Sequence, residues 1–213
     1  IGTSGGSITS TATTGVLTGT GYTFSNTSAA TVSAFLAGSG AVTQSGSGTT
    51  TLSRANTYTG GTNFNNGKLG AGANNAFGTS GTLSFGGGTF LYAGGSTDYS
   101  ARFSTVANQQ YVIDTGSFSA TLATSLTATG ASLRKSGTGS MTLNAANSLS
   151  GGITVQEGTL FVGNASALGT GSLVVNTGGA IDLAGITITS ANPLTLRGTG
   201  TATSGALLNS SNS

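Results

Sequence analysis

The chain has 213 residues, among them 38 glycines and one proline, and it has no cysteine, histidine or tryptophan. Six basic against four acidic residues leave a net charge of +2, while 36% of residues are hydrophobic, enough apolar content for a folded chain. This inventory excludes disulfides, thiolate and imidazole metal sites, cysteine nucleophiles and a serine–histidine–aspartate triad.

In chain order, a glycine- and serine-rich start, Ile1–Ser10, precedes Tyr22-Thr23-Phe24, the first apolar–polar–apolar triplet. Such alternation puts successive side chains on opposite faces of a half-buried strand. It returns in Leu83-Ser84-Phe85, in the outer positions of Phe90-Leu91-Tyr92, and in Tyr111-Val112-Ile113. Ile153-Thr154-Val155, Leu160-Phe161-Val162, Ile186-Thr187-Ile188 and Leu194-Thr195-Leu196 continue the series. Turns bearing glycine or asparagine separate these segments. Helical spacing is absent except for a single turn at Asn74-Asn75-Ala76-Phe77 and its counterpart Ala165-Ser166-Ala167-Leu168. No apolar run approaches the length of a membrane-spanning helix, so no membrane insertion is expected.

The chain also repeats itself. Gly46-Ser47-Gly48-Thr49-Thr50-Thr51-Leu52 returns 91 residues later as Gly137-Thr138-Gly139-Ser140-Met141-Thr142-Leu143. On the same offset Asn56 meets Asn147, Gly60-Gly61 meets Gly151-Gly152, Leu69 meets Leu160, and Ala76-Phe77-Gly78 meets Ala167-Leu168-Gly169. One residue is dropped before Leu83-Ser84-Phe85 meets Leu173-Val174-Val175, and the offset is 91 again where Phe90-Leu91-Tyr92 meets Ile181-Asp182-Leu183. Residues 46–95 thus match 137–185. Self-similarity of this kind, with small residues in the turns and recurring Asn and Thr able to form ladders, favours stacked coils over a sandwich or barrel. The expected fold is all-β, a right-handed parallel β-helix of about nine or ten coils of roughly 20–25 residues. Residues 1–213 read as one β-helix segment of a longer protein. Leu52, Phe64, Leu83, Phe85, Leu143, Val155, Leu160, Val162, Leu173 and Val175 are expected to point inward.

The stretch from Val32 through Gly46, followed by Gly48-Thr49-Thr50-Thr51-Leu52 and Asn56-Thr57-Tyr58-Thr59-Gly60-Gly61-Thr62, resembles the autotransporter-associated β-strand repeat, or passenger-associated transport repeat. The second copy, Gly137 to Gly152 and on through Gly158-Thr159-Leu160, Asn164-Ala165 and Ala167-Leu168-Gly169, fits it as well. Pro193–Gly200 with Gly205-Ala206-Leu207-Leu208 resembles the segment that commonly follows such repeats. The resemblance spans about two-thirds of the chain and is weakest over residues 1–31 and 96–125. It implies a β-helix exported from a bacterium, extracellular or at the cell surface. It does not imply one activity, because such passengers are adhesins, toxins, proteases or plain stalks.

The residues themselves assemble no reaction. A β-helix lyase or hydrolase needs two or three acids in one groove, and the only carboxylates are Asp98, Asp114, Glu157 and Asp182. In the repeat register Glu157 lies on a turn opposite Asn66, and Asp182 pairs with Leu91 on the outward side, so all four are expected as solvated surface acids. Gly86-Gly87-Gly88-Thr89-Phe90 lacks the acid of a calcium-binding roll turn. The G-x-G pairs lack the third glycine of a nucleotide loop and read as turn glycines. Arg54, Lys68, Arg102, Arg134, Lys135 and Arg197 are scattered, which argues against nucleic acid and for isolated solvated charges. Thr-x-Thr pairs at 11, 49, 57, 127 and 187 keep no constant step, so they read as β-formers rather than an ice-binding array. Tyr58, Tyr92, Tyr99 and Tyr111 either offer a sugar-stacking surface or close the core.

No catalytic, cofactor-binding or metal-binding residue is therefore expected, and no cofactor. The leading function is a structural stalk or adhesin segment; the alternatives are a polysaccharide lyase or hydrolase, or a carbohydrate-binding surface. Expected partners are neighbouring repeats of the same protein and surface glycans. Neither Ile1–Ser10 nor the polar tail Asn209–Ser213 carries a capping helix. An isolated segment is therefore expected to stack end to end into oligomers or filaments through its open edges.

Overall fold

The computed structural model describes residues 15–210. The protein is all-β, its parallel strands stacked as a β-solenoid of about nine turns. It divides into two compact units, one running to Thr97 with Arg102–Ser104 added, the other holding Asp98–Ala101 and everything from Thr105.

In the first unit the strands are β1 (Val16–Thr18), β2 (Gly21–Phe24), β3 (Ala30–Val32), β4 (Phe35–Ala37), β5 (Ala41–Gln44), β6 (Thr49–Leu52), β7 (Thr62–Phe64), β8 (Lys68–Ala71), β9 (Leu83–Phe85) and β10 (Thr89–Tyr92). Strands β2, β5, β7 and β9 stack into one sheet, β3, β6, β8 and β10 run together in another, and β1 pairs with β4. The second unit holds β11 (Gln110–Asp114), β12 (Ala120–Leu122), β13 (Ser132–Ser136), β14 (Ser140–Leu143), β15 (Gly152–Val155), β16 (Gly158–Val162), β17 (Leu173–Val175), β18 (Gly179–Asp182), β19 (Leu194–Leu196) and β20 (Leu207–Leu208). There β11, β13, β15, β17 and β19 stack in one sheet and β12, β14, β16, β18 and β20 in another. Register partners are 19 residues apart at Val16↔Phe35, 22 at Tyr111↔Leu133 and 26 at Ile181↔Leu207.

The sequence repeat is a repeat of register. Gln44↔Phe64↔Phe85 in the first copy becomes Lys135↔Val155↔Val175 in the second. Leu69↔Phe90 likewise becomes Leu160↔Ile181, which places the dropped residue between these two ladders. All ten residues expected inside are buried. In the first unit Phe64 stacks on Phe85 at 5.0 Å and on Phe90 at 5.7 Å between centroids, with Phe77 edge-on to both Phe64 and Phe90. Such pairs add about 0.5–1.5 kcal/mol each beyond the area they bury.

Two motif glycines show why the G-x-G turns hold. A Cβ on Gly139 would overlap the Phe118 carbonyl oxygen of the coil beneath it. Gly158, at φ +67°, would collide with the Gly139 carbonyl in the same way. Turns stacked at strand spacing leave no room for a side chain. The single turns at 74–77 and 165–168 are present in both copies.

Ile186-Thr187-Ile188 is not a strand, although its side chains still alternate in exposure. Ile186 N–H bonds back to Leu183, and Thr189 N–H reaches Ala165, so the segment joins no ladder. Asn56 and Asn147 do not ladder with one another. Asn56 instead spans three coils, its Oδ1 accepting from Leu36 N–H at 2.8 Å and its Nδ2 donating to the Ala76 carbonyl at 2.6 Å. Asn147 does the same with Leu126 N–H at 2.8 Å and the Ala167 carbonyl at 2.7 Å.

Candidate functional site

The chemistry of this chain gathers at one corner of the second unit, where four stretches turn over one another: Asp114-Thr115-Gly116, Lys135–Thr138, Gln156-Glu157-Gly158 and Thr177-Gly178. The alternation of β13 points Leu133 and Lys135 inward together. Lys135, expected on the surface, is fully buried. Its Nζ donates to the Gly137 and Glu157 carbonyls, each at 2.8 Å, and to Thr115 Oγ1 at 3.1 Å, with the Ser136 carbonyl at 3.4 Å. Burial pulls its pKa down to about 8, against the pull of Asp114 and Glu157, which favour the charged form.

The first copy explains this position. Gln44, 91 residues earlier, is also buried and sends its Nε2 to the Gly46 carbonyl at 2.9 Å, the Gly48 carbonyl at 3.4 Å and Asn26 Oδ1 at 3.4 Å. Stacked G-x-G turns aim carbonyls into the coil, and a long side chain with a donor at its tip must satisfy them. Glutamine leaves its own Oε1 without a partner; an ammonium has no acceptor to strand.

A second such clamp closes the turn after the Ala-Phe-Gly and Ala-Leu-Gly motifs. Arg102 donates from Nη1 to the Gly78 carbonyl and from Nη2 to the Phe77 carbonyl, each at 2.9 Å, from Nε to Gly81 at 2.8 Å, and also from Nη2 to Ser80. Asn192, 90 residues on, donates to Gly169 at 3.1 Å and Gly171 at 2.7 Å. Sequence reading missed both clamps. Their only signal is a polar residue recurring on the repeat offset as Gln then Lys, and as Arg then Asn, which identity-based matching passes over.

Asp114 and Glu157 both face Lys135, while Asp98 and Asp182 are held by backbone N–H groups of their own. Asp98 accepts from Ser100 N–H at 2.8 Å and Ala123 N–H at 2.9 Å. Asp114 is buried rather than solvated and accepts from Gly116 N–H at 2.8 Å. Asp182 lies on the outward column of β18, as the repeat register requires, yet it too is buried. The tail folds over it: its Oδ1 accepts from Ala184 N–H at 2.8 Å and Ser210 N–H at 2.9 Å, and its Oδ2 from the Ser210 hydroxyl. Burial pushes the Asp182 pKa up, but these hydrogen bonds together hold it below the ordinary value. Glu157, directly before β16, is exposed. Among the described residues no three His, Cys, Asp or Glu side chains group to hold a metal ion, and no helix is long and apolar enough to cross a membrane.

The four tyrosines considered for sugar stacking are core residues. Tyr58, Tyr92, Tyr99 and Tyr111 are all buried, Tyr58 with its hydroxyl 2.7 Å from Thr62 Oγ1. They close the core, and their faces are not open to a sugar. The Thr-x-Thr pair at 11 and 13 lies outside the described residues, as does Ile1–Ser10.

Glu157 opens onto a groove of about 500 Å³ whose lining includes Thr138, Thr159, Thr177, Thr201 and Thr203, with Gly158 and Gly178 on its floor. An apolar hollow of about 230 Å³ lies elsewhere in the same unit, between Leu168, Leu173, Ile181, Ile188, Leu194 and Leu207.

The family model for the passenger-associated-transport-repeat matches the chain at residues 42–71 and 133–162. These windows run from β5 to the end of β8 and from β13 to the end of β16, the coils whose registers coincide, so the resemblance read from the sequence holds at both places. No curated protein and no solved structure matches the chain.

Proposed function

Because the chain carries two passenger-associated-transport-repeats, we propose that it is a stalk segment of a bacterial surface passenger, giving length and display rather than catalysis. The observation that supports this best is where the polar groups go. Gln44, Lys135, Arg102, Asn192, Asn56 and Asn147 all spend their donors on carbonyls of stacked turns, which holds coils together and leaves little for chemistry. The repeat family implies a secreted or surface-exposed protein and is typically structural. An epitope inserted at the exposed turn around Phe118 tests the placement in the native host: antibody should label intact cells. Labelling only after lysis refutes the reading.

The same segment is suited to self-association. Strands β19 and β20 are the last of their sheets, and Leu194, Leu196 and Leu207 are exposed beside the apolar hollow. Arg197 is the only charge after Asp182, so little charge opposes the approach of another apolar edge. For the isolated chain the edge that approaches is that of a second copy. Sedimentation of the purified chain should show concentration-dependent oligomers. A strict monomer at high concentration refutes it.

A further inference from the structure

The threonine-lined groove beside Glu157 presents hydrogen-bond acceptors at Thr138 and Thr177. Thr138 Oγ1 already donates to the Gly116 carbonyl at 3.3 Å, and Thr177 Oγ1 to the Arg197 carbonyl at 3.2 Å. Each hydroxyl has a single hydrogen, so both turn only lone pairs toward the groove. Thr201 Oγ1 shares one hydrogen with Ser204 Oγ at 2.7 Å. Glu157 adds a carboxylate to which no described residue donates, and its backbone carbonyl is pinned from below by Lys135 at 2.8 Å. Asp114 and Glu157 bring two negative charges to this corner, and the Lys135 ammonium between them is turned into the core.

The floor is bare where a ligand would lie. Gly178 stands at φ +85°, and a Cβ there would meet nothing closer than Glu157 Cγ at 3.9 Å. The threonine methyls and Ala202 supply apolar contact around this floor. A volume of about 500 Å³ is within the range that holds a small ligand.

We propose that this groove binds an amino-sugar unit of a glycan, with the ammonium of that unit on Glu157 and its ring hydroxyls donating to Thr138 and Thr177. The hydroxyls of Thr138 and Thr177 have already given their hydrogens and suit a ligand that donates, while the Glu157 carboxylate repels a uronate or phosphate. The site is independent of the stalk reading, which stands or falls on surface labelling.

The test is a titration of the full 213-residue chain with a β-1,4-linked glucosamine disaccharide, followed by amide chemical shifts and calorimetry. Saturable shifts are expected at Gly158, Gly178 and Thr203. The N-acetylated disaccharide, which lacks the charge, should bind at least about tenfold more weakly, the low end for losing a hydrogen bond to a charged group. Glu157→Gln should lose the same factor while melting like the parent chain. Equal binding of the two disaccharides, shifts elsewhere than the groove, or no saturable shift in the millimolar range overturns the proposal. If Glu157→Gln fails to fold, the pair of disaccharides still decides. Ethylammonium binding as tightly as the disaccharide would also overturn it, since the hydroxyl contacts would then contribute nothing.

Discussion

Lys135 makes the stability of the second unit depend on pH in an unusual direction. A lysine ordinarily titrates near 10.5, and burial at this turn brings it down to about 8. Between those values the unfolded chain holds a proton that the folded chain has released. Where the unfolded state binds more protons, stability rises with pH. The window is therefore pH 8 to 10.5, and the native state should become more stable as alkali is added. The Lys135 penalty falls from about 3 kcal/mol at pH 8 to about 1 at pH 10, a gain of about 2 kcal/mol. Asp114 and Glu157 are the charged groups facing the ammonium. Tyr111, raised by burial, acts in the opposite sense above pH 10, so the comparison stops there. The assay is the urea midpoint of the chain at pH 7.5, 8, 9 and 10, measured beside Lys135→Gln, which places the first copy's residue in the same slot. The midpoint difference should move in favour of the parent chain by roughly 1 M urea over the window, for a slope of about 2 kcal/mol/M. A difference that is flat, or that falls with pH, refutes the buried, charge-penalised ammonium.

Asn147→Ala removes both coil-bridging hydrogen bonds and leaves Leu126 N–H and the Ala167 carbonyl unpaired; it should cost about 2–4 kcal/mol, read as a lowered melting temperature, and no change would refute the bridging role. Leu143→Asp puts an uncompensated carboxylate at a fully buried position and should unfold at least the adjacent coils; an unchanged circular dichroism spectrum and melting curve would refute the inward placement.

The sequence by itself determined most of what is local or periodic. Alternation assigned Leu52, Phe64, Leu143 and Val155 to the inside, because a strand can turn only every second side chain toward the coil interior. The 91-residue offset with its one dropped residue reappeared as ladder register, because each coil pairs with its neighbours along the same rows. Gly139 and Gly158 were legible as turn glycines, because stacking forbids a Cβ wherever one turn lies on another. Alternation alone did not make Ile186-Thr187-Ile188 a strand, since a strand also needs a partner edge in register. The fate of the polar residues was decided by tertiary structure. Lys135, Asp114 and Asp182 read as solvated charges, yet each is enclosed, because residues two to 28 positions away bring carbonyls or N–H groups to their tips. Tyr58 went inward for a related reason, as it finds Thr62 Oγ1 for its hydroxyl inside the coil. Whether a polar side chain can be buried depends on which unpaired backbone groups the neighbouring coils present. That pairing exists only once the coils have stacked.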